Sequence, residues 1–211
     1  MTLTDTPRAD DRVVLRRRSI DTVLSATGGV LTLVFVVAGA LLLWGSSFSA
    51  DYVDRELGSQ NVYFPSEEEL RAEGRDDLVS HAGEQVNTGD EAEAYASYID
   101  GHLANIAGGQ TYAELSGPES AARAALQEAQ EAGEDDATIE ELQAAYDEVS
   151  GQRSTLFRGE TLRGLLLSAY AWATVGSIAG WAAWAAWAAA VVMLVLTALG
   201  LRHRRQVLTA G

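Results

Sequence analysis

The chain has 211 residues, a net charge of −15 and no cysteine, with 47% of its residues hydrophobic. Disulfides and thiolate metal sites are excluded, so any exported part must hold together by packing alone. Residues 51–160 carry 26 Asp/Glu against six Arg, a net −20 that leaves +5 for the remainder; so acidic a segment argues against nucleic acid or an anionic lipid surface as its partner.

Residues 1–20 are mostly polar and charged, contain Pro7 and read as a cytoplasmic basic tail. Arg16, Arg17 and Arg18 close this tail, and Thr22 to Trp44 then runs without a charge. A bilayer core of about 30 Å needs roughly 20 apolar helical residues, so residues 21–45 are predicted as transmembrane helix 1. Ser47-Phe48-Ser49-Ala50 offers small residues for signal cleavage, but the apolar run exceeds the roughly 7–15 residues of a secretory signal, and a retained anchor is expected. Within this span Ser25, Gly28, Gly29 and Gly39 are places where another helix can approach closely.

Residues 46–160 are predicted as an acidic, mostly helical extracytoplasmic domain. Tyr52, Val53 and Leu57 can extend the first helix outward, and Val62-Tyr63-Phe64 leads into Pro65 as extended chain. Ser66 with Glu69 has the spacing of a capping box. Asp90 with Glu93 marks a helix start, followed by Tyr95, Ile99, His102 and Ile106 on one face and Gly108-Gly109 as terminator. Pro118 fits the first turn of a helix reaching about Ala132, and Thr138 with Glu141 predicts a cap for a further helix carrying Ile139, Leu142, Tyr146 and Val149. No alternating strand pattern of useful length is present.

Gly164 to Leu201 is apolar for about 57 Å as helix, nearly twice the hydrocarbon thickness. Two crossings would put Arg202, Arg204 and Arg205 outside, against the tendency of basic residues to stay in the cytoplasm. One crossing is therefore expected, with 161–177 as an apolar juxtamembrane helix, 178–201 as transmembrane helix 2 and 202–211 as a second cytoplasmic basic tail. The expected fold is an all-α integral membrane protein of the plasma membrane. It is a two-helix transmembrane hairpin with both termini cytoplasmic and the acidic domain between the spans.

The candidate chemistry is sparse. Trp181, Trp184 and Trp187 recur every three residues and, with Trp44, read as an interfacial aromatic belt. Gly176 and Gly180 stand at GxxxG spacing one turn after Trp172, and contact with the first span of the same chain is their most economical use. Glu134-Asp135-Asp136, with Glu140 and Glu141, lacks the alternating ligands of a calcium loop and reads as a solvated turn. No phosphate loop, nucleophile elbow or zinc-protease motif occurs. His102 lies on an apolar stripe as a structural histidine; with His81 and a carboxylate it would complete the inventory of a non-haem iron site, but without a spacing motif.

Asp100 to Glu114 (DGHLANIAGGQTYAE) and above all Thr155 to Thr174 (TLFRGETLRGLLLSAYAWAT) resemble an uncharacterised actinobacterial family of double-spanning membrane proteins, with Tyr63-Phe64-Pro65 and Val86 to Asp90 also similar to its pattern. The resemblance covers most of the chain outside the N-terminal tail and implies two spans with an exported domain. Members of that family are sometimes labelled aromatic ring-opening dioxygenases. Its most family-like stretch, Leu156 to Gly164, carries Arg158, Glu160 and Arg163 where the chain enters the headgroups. It reads either as a docking elbow for a partner or lipid phosphate, or as a Glu160–arginine pair with glycine shaping a bend.

The expected function is a non-catalytic accessory or scaffolding subunit of a membrane assembly, without a cofactor. Its docking candidates are Arg158, Glu160, Arg163, Trp172, Gly176 and Gly180, and its partners the lipid bilayer and other membrane proteins. The alternatives are an envelope sensor binding a cation or small ligand through the acidic domain, and the iron dioxygenase.

Overall fold

The computed structural model describes the backbone of residues 9–209 and the side-chain surroundings of residues 20 and 22–202. It is 84% helical, and among the described residues the only sheet-like feature is an isolated antiparallel bridge between Tyr63 and Gln85. The chain divides into two compact units, one made of residues 1–49 and 175–211, the other of residues 50–174.

The first unit pairs the early part of helix α1 (Ala9–Gly58) with the late part of helix α5 (Asp136–Thr209). Both helices are long and apolar enough to cross a membrane. Neither contains proline, so nothing in the backbone interrupts them. Their packing is antiparallel and runs through small residues. Gly200 lies beside Ser25, Gly28 beside Thr197, Gly39 beside Ala183 and Trp187, Gly180 beside Ser46, and Gly176 beside Ser49. The inward positions recur every seven residues, at 28, 35, 42 and 49 on α1 and at 176, 183, 190 and 197 on α5. A repeat of 3.5 residues per turn keeps one narrow seam facing the partner helix.

Most large aliphatic side chains take the opposite surface, although Phe35 and Leu42 are half-buried along the seam. Val23, Leu24, Leu33, Leu41, Ile178, Val191 and Leu196 are all more than half exposed. This reverses the distribution of a helix pair in water, where such residues fill the seam.

The second unit begins with the end of α1, where Val53 is buried. Phe64 N–H donates to Glu84 O and Val86 N–H to Val62 O, and these bonds hold the extended stretch before Pro65. Ser66 then caps helix α2 (Glu67–Ala72) with Glu69 in the reciprocal pattern that its spacing predicted. A 3-10 helix at Asp76–His81 leads to helix α3 (Gly89–Leu103). Phe64, Val86 and Ala92 form one core, against which Leu57, Tyr95, Leu166 and Ala169 pack. Leu103, Leu115 and Leu156 form another, flanked by Ile99, Ile106 and Val149. Helix α4 (Ser116–Ala132), with Pro118 in its first turn, ends at the left-handed Gly133 and returns along the start of α5.

Several expectations shift. Helix α1 already begins at Ala9, so only residues 1–8 of the predicted tail lie outside the described residues. The cap of α3 is Thr88, two residues before Asp90: Thr88 accepts from Glu91 N–H, and the Glu91 carboxylate accepts from Asn87 and Thr88 N–H. The cap of α5 is Asp135, which accepts from Thr138 N–H, rather than Thr138 itself. His102 is exposed, because the buried face of α3 is Gly89, Ala92, Ala96 and Leu103.

The largest difference concerns residues 161–177. They form no separate helix, and the helix is not interrupted at Gly159 or Gly164; α5 runs unbroken for 74 residues. Two interior glycines cost a helix only about 1 kcal/mol each relative to alanine, and Gly159 gives the Leu103 side chain room against the helix backbone.

Candidate docking surfaces

In the second unit, Arg163 is fully engaged. It donates to Glu160 at 3.0 Å and approaches Asp100 at 3.4 Å, which ties α5 to the end of α3. Arg158, one turn earlier, is exposed. The other arginines of this unit, Arg55, Arg71, Arg75, Arg123, Arg153 and Arg163, each have a carboxylate within 4 Å, whereas Arg158 has none among the described residues. Phe157, Leu162, Leu165 and Trp172 are exposed on the same stretch of helix. The two arginines expected to act together therefore separate into one structural and one outward-facing cation.

Glu119 joins α4 to α5. Its carboxylate accepts from Arg153 and lies 3.7 Å from Arg123. The Arg153 hydrogen bond holds this carboxyl below its ordinary range, against the opposing effect of burial. Arg153 also sits 4.3 Å above the Tyr112 ring, and Arg123 donates to the Tyr146 hydroxyl at 3.1 Å. Sequence periodicity showed the apolar stripes of these helices but not this knot, because its members are 34 residues apart along the chain.

His81 and His102 lie at the two ends of a chain of rings. His81 stacks on Phe64 at 5.1 Å, Phe64 meets Tyr95 edge-on at 5.2 Å, Tyr95 meets Tyr98 at 5.5 Å, and Tyr98 meets His102 at 4.6 Å. His81 Nδ1 lies 3.0 Å from Glu84, and His102 Nε2 lies 3.7 Å from Glu73. Burial and a hydrogen bond to Glu73 push the Tyr98 hydroxyl up to about 12. His102, Glu73, Arg75, Gly101 and Asn105 line a shallow recess of about 230 Å³. Arg75 is already committed to Asp77 and to the Ser97 carbonyl and hydroxyl.

Among the described residues, no three His, Asp or Glu side chains converge on a point where an ion would sit. The iron implied by the dioxygenase label does not fit these residues, since its two candidate histidines are separated by three intervening rings.

In the first unit, Gly176 and Gly180 lie in the helix seam against Ser49 and Ser46. A Cβ built at Gly176 would stand 2.7 Å from the Ser49 Cβ. Trp44, Trp181 and Trp184 are exposed, at 68%, 76% and 61%. Trp187, grouped with them by spacing, turns inward over Gly39 and donates its indole N–H to Val36 O at 3.4 Å. Gly29, an expected approach site, has open space on its Cβ side. The expected contact of Gly176 and Gly180 with the first helix is present, but Ser46 and Ser49 as their partners were not legible, because small residues are also frequent in transmembrane helices without contact.

No known protein family, curated protein or solved structure matches this chain.

Proposed function

We propose that this chain is an integral membrane protein of the plasma membrane, with α1 and α5 crossing the bilayer as an antiparallel pair. The observation that carries the reading is the packing of the first unit: glycine and serine make the close contacts between the helices, while most valine, leucine and isoleucine side chains face outward. Acyl chains solvate those outward side chains without cost, and close approach through small residues is how helices associate when water exclusion is absent. The basic clusters at residues 16–18 and 202–205 lie beyond the same end of the pair, and this asymmetry supports a cytoplasmic side for that end. The side chains of these clusters, apart from exposed Arg202, lie outside the described residues. Residues 46–160 are then extracytoplasmic.

Within that frame the chain acts as a non-catalytic accessory or scaffolding subunit, docking other membrane proteins through Arg158 and its apolar neighbours Leu162, Leu165 and Trp172. The support is an arginine facing outward in a unit where its counterparts are paired. A second reading, an envelope sensor, is favoured by the recess lined by Glu73, Arg75 and His102.

Because the chain has no cysteine, single-cysteine variants report topology without background. A Ser120→Cys variant reacts with an impermeant maleimide on intact cells and a Thr4→Cys variant only after lysis; the opposite pattern overturns the orientation. Alkaline carbonate that strips the protein from membranes overturns the spanning reading. The subunit reading expects a stoichiometric membrane partner after mild-detergent purification, with its yield reduced by Arg158→Glu. Near-equimolar iron in that sample, with the protein alone, would reverse it.

A further inference from the structure

The contacts of the first unit establish which residues of α1 and α5 share a level. Ser25 stands by Gly200, Gly28 by Thr197, Ser46 by Gly180 and Ser49 by Gly176. Each pair of residue numbers sums to 225 or 226, so Trp44 of α1 is level with Trp181 of α5. Both indoles are exposed, and Phe48 stacks on Trp44 at 5.7 Å, one turn toward Asp51. The opposite end of the pair carries no aromatic residue among residues 20–30 and 195–202. Trp181 to Arg202 is 21 residues, about 32 Å of helix, and Trp44 to Thr22 is about 33 Å. Both lengths match the hydrocarbon core of about 30 Å.

We infer that Trp44, Phe48 and Trp181 form a one-sided anchor for the phospholipid glycerol and headgroup boundary of the outer leaflet, and that this anchor sets the depth of the helix pair. The inference rests on the membrane-spanning reading above. An indole at that level keeps its ring among the first methylenes while its N–H reaches ester and phosphate oxygens. The negative charges of Asp51 and Asp54 begin two turns beyond Trp44 and stay in water. Exposed Arg202, at the other end, meets the inner headgroups. The pair is thus held by rings on one side and by a cation on the other. Trp187 takes no part in the anchor: its N–H is committed to Val36 and its ring to Gly39, so it fixes helix register rather than depth. Trp184, edge-on to Trp187 at 5.4 Å, lies one turn deeper than Trp181.

The test is depth-dependent quenching of full-length protein in phosphatidylcholine vesicles brominated at defined acyl positions, with all tryptophans but one replaced by Phe. Trp44 and Trp181 should each be quenched most by bromines nearest the glycerol, and to matching extents. Trp187 should be quenched most by bromines nearer the bilayer centre. A nitroxide on Ser47→Cys or Ala182→Cys in the otherwise native chain reads the same depth without altering a tryptophan. Strongest quenching of Trp44 or Trp181 at the bilayer centre, or a depth difference between them of more than one helical turn, overturns the anchor. Protein that stays out of the vesicles overturns the spanning reading instead, and the two failures are distinguishable.

Discussion

The indole ring of Trp187 lies over Gly39 of the antiparallel helix and donates its N–H to Val36 O at 3.4 Å. A side chain at residue 39 would occupy the place of the Trp187 ring and would also stand 3.2 Å from Ala183 O. The contact is therefore a lock between one residue without a side chain and the largest side chain available. A Gly39→Leu substitution should separate the two helices locally, at a cost of about 1–3 kcal/mol for overpacking. Combined with Trp187→Ala it should cost less than the sum of the two single changes. Thermal unfolding of all three variants in one detergent gives the coupling, and strict additivity would contradict the lock.

The register of the pair makes a sharper prediction. A Cβ at Gly180 would lie 3.6 Å from the Ser46 Cβ, inside the range of roughly 3.5–4.5 Å that a disulfide requires. The double variant Ser46→Cys with Gly180→Cys should form an intramolecular disulfide under mild oxidation, visible as a mobility shift that reductant reverses. The double variant Ser46→Cys with Gly176→Cys should oxidise more slowly, since Gly176 faces Ser49 more closely. Equal rates for the two variants would contradict the register.

Acid should loosen the α4–α5 contact. Glu119 is held below its ordinary value by the Arg153 hydrogen bond. A depressed carboxyl contributes stability above its unfolded value of about 4.3, and loses that contribution as pH falls through the folded value. The melting temperature of wild type should exceed that of Glu119→Gln at neutral pH, and the gap should close as the pH drops below about 4. A gap that stays constant with pH would show that the carboxylate charge is not what holds the two helices.

Burial separates two leucines on α5. Leu156 is buried with Leu103 and Leu115, whereas Leu165 is 64% exposed. Leu156→Ala should destabilise the second unit by about 2–5 kcal/mol, and Leu165→Ala by less than about 0.5 kcal/mol. If the proposed docking stripe is correct, Leu165→Ala should nonetheless weaken partner recovery. Denaturant unfolding followed by circular dichroism measures the first effect, and co-purification the second.

Ala107 occupies the left-handed region at φ 53°, where a Cβ costs roughly 1–2 kcal/mol. Ala107→Gly should raise stability slightly or leave it unchanged, because relieved strain is offset by the greater freedom of the unfolded chain. Ala107→Val should lower it by more than about 1 kcal/mol. Melting temperatures of the two variants, on opposite sides of wild type or with only Val falling, check the reading.

Much of the local structure was legible in the chain. The Ser66–Glu69 capping box, Pro118 in a first turn and the end of α4 near Ala132 all depend on residues within one or two turns of each other. The candidate surfaces were less legible. Arg158 and Arg163 both lie near Glu160 in sequence; Glu160 pairs with Arg163, and Asp100, brought alongside by α3, adds a second carboxylate to it alone. The continuity of α5 was obscured for a related reason. Gly159 reads locally as a breaker, yet the Leu103 side chain fills the space beside it.

Composition and order alone determined that the chain is helical, that it carries two long apolar stretches bounded by arginines, and that an acidic segment separates them. Those properties follow from hydrophobicity, charge and hydrogen bonds between near neighbours, all of which are written along the chain. Only the tertiary structure decided that Trp187 faces Gly39 while Trp181 faces outward, that Glu119 meets Arg153, and that Arg163 is paired while Arg158 is not. Each of those outcomes depends on which helix lies alongside. In an alanine-rich helix with apolar residues on every side, periodicity does not single out the face that a partner will cover.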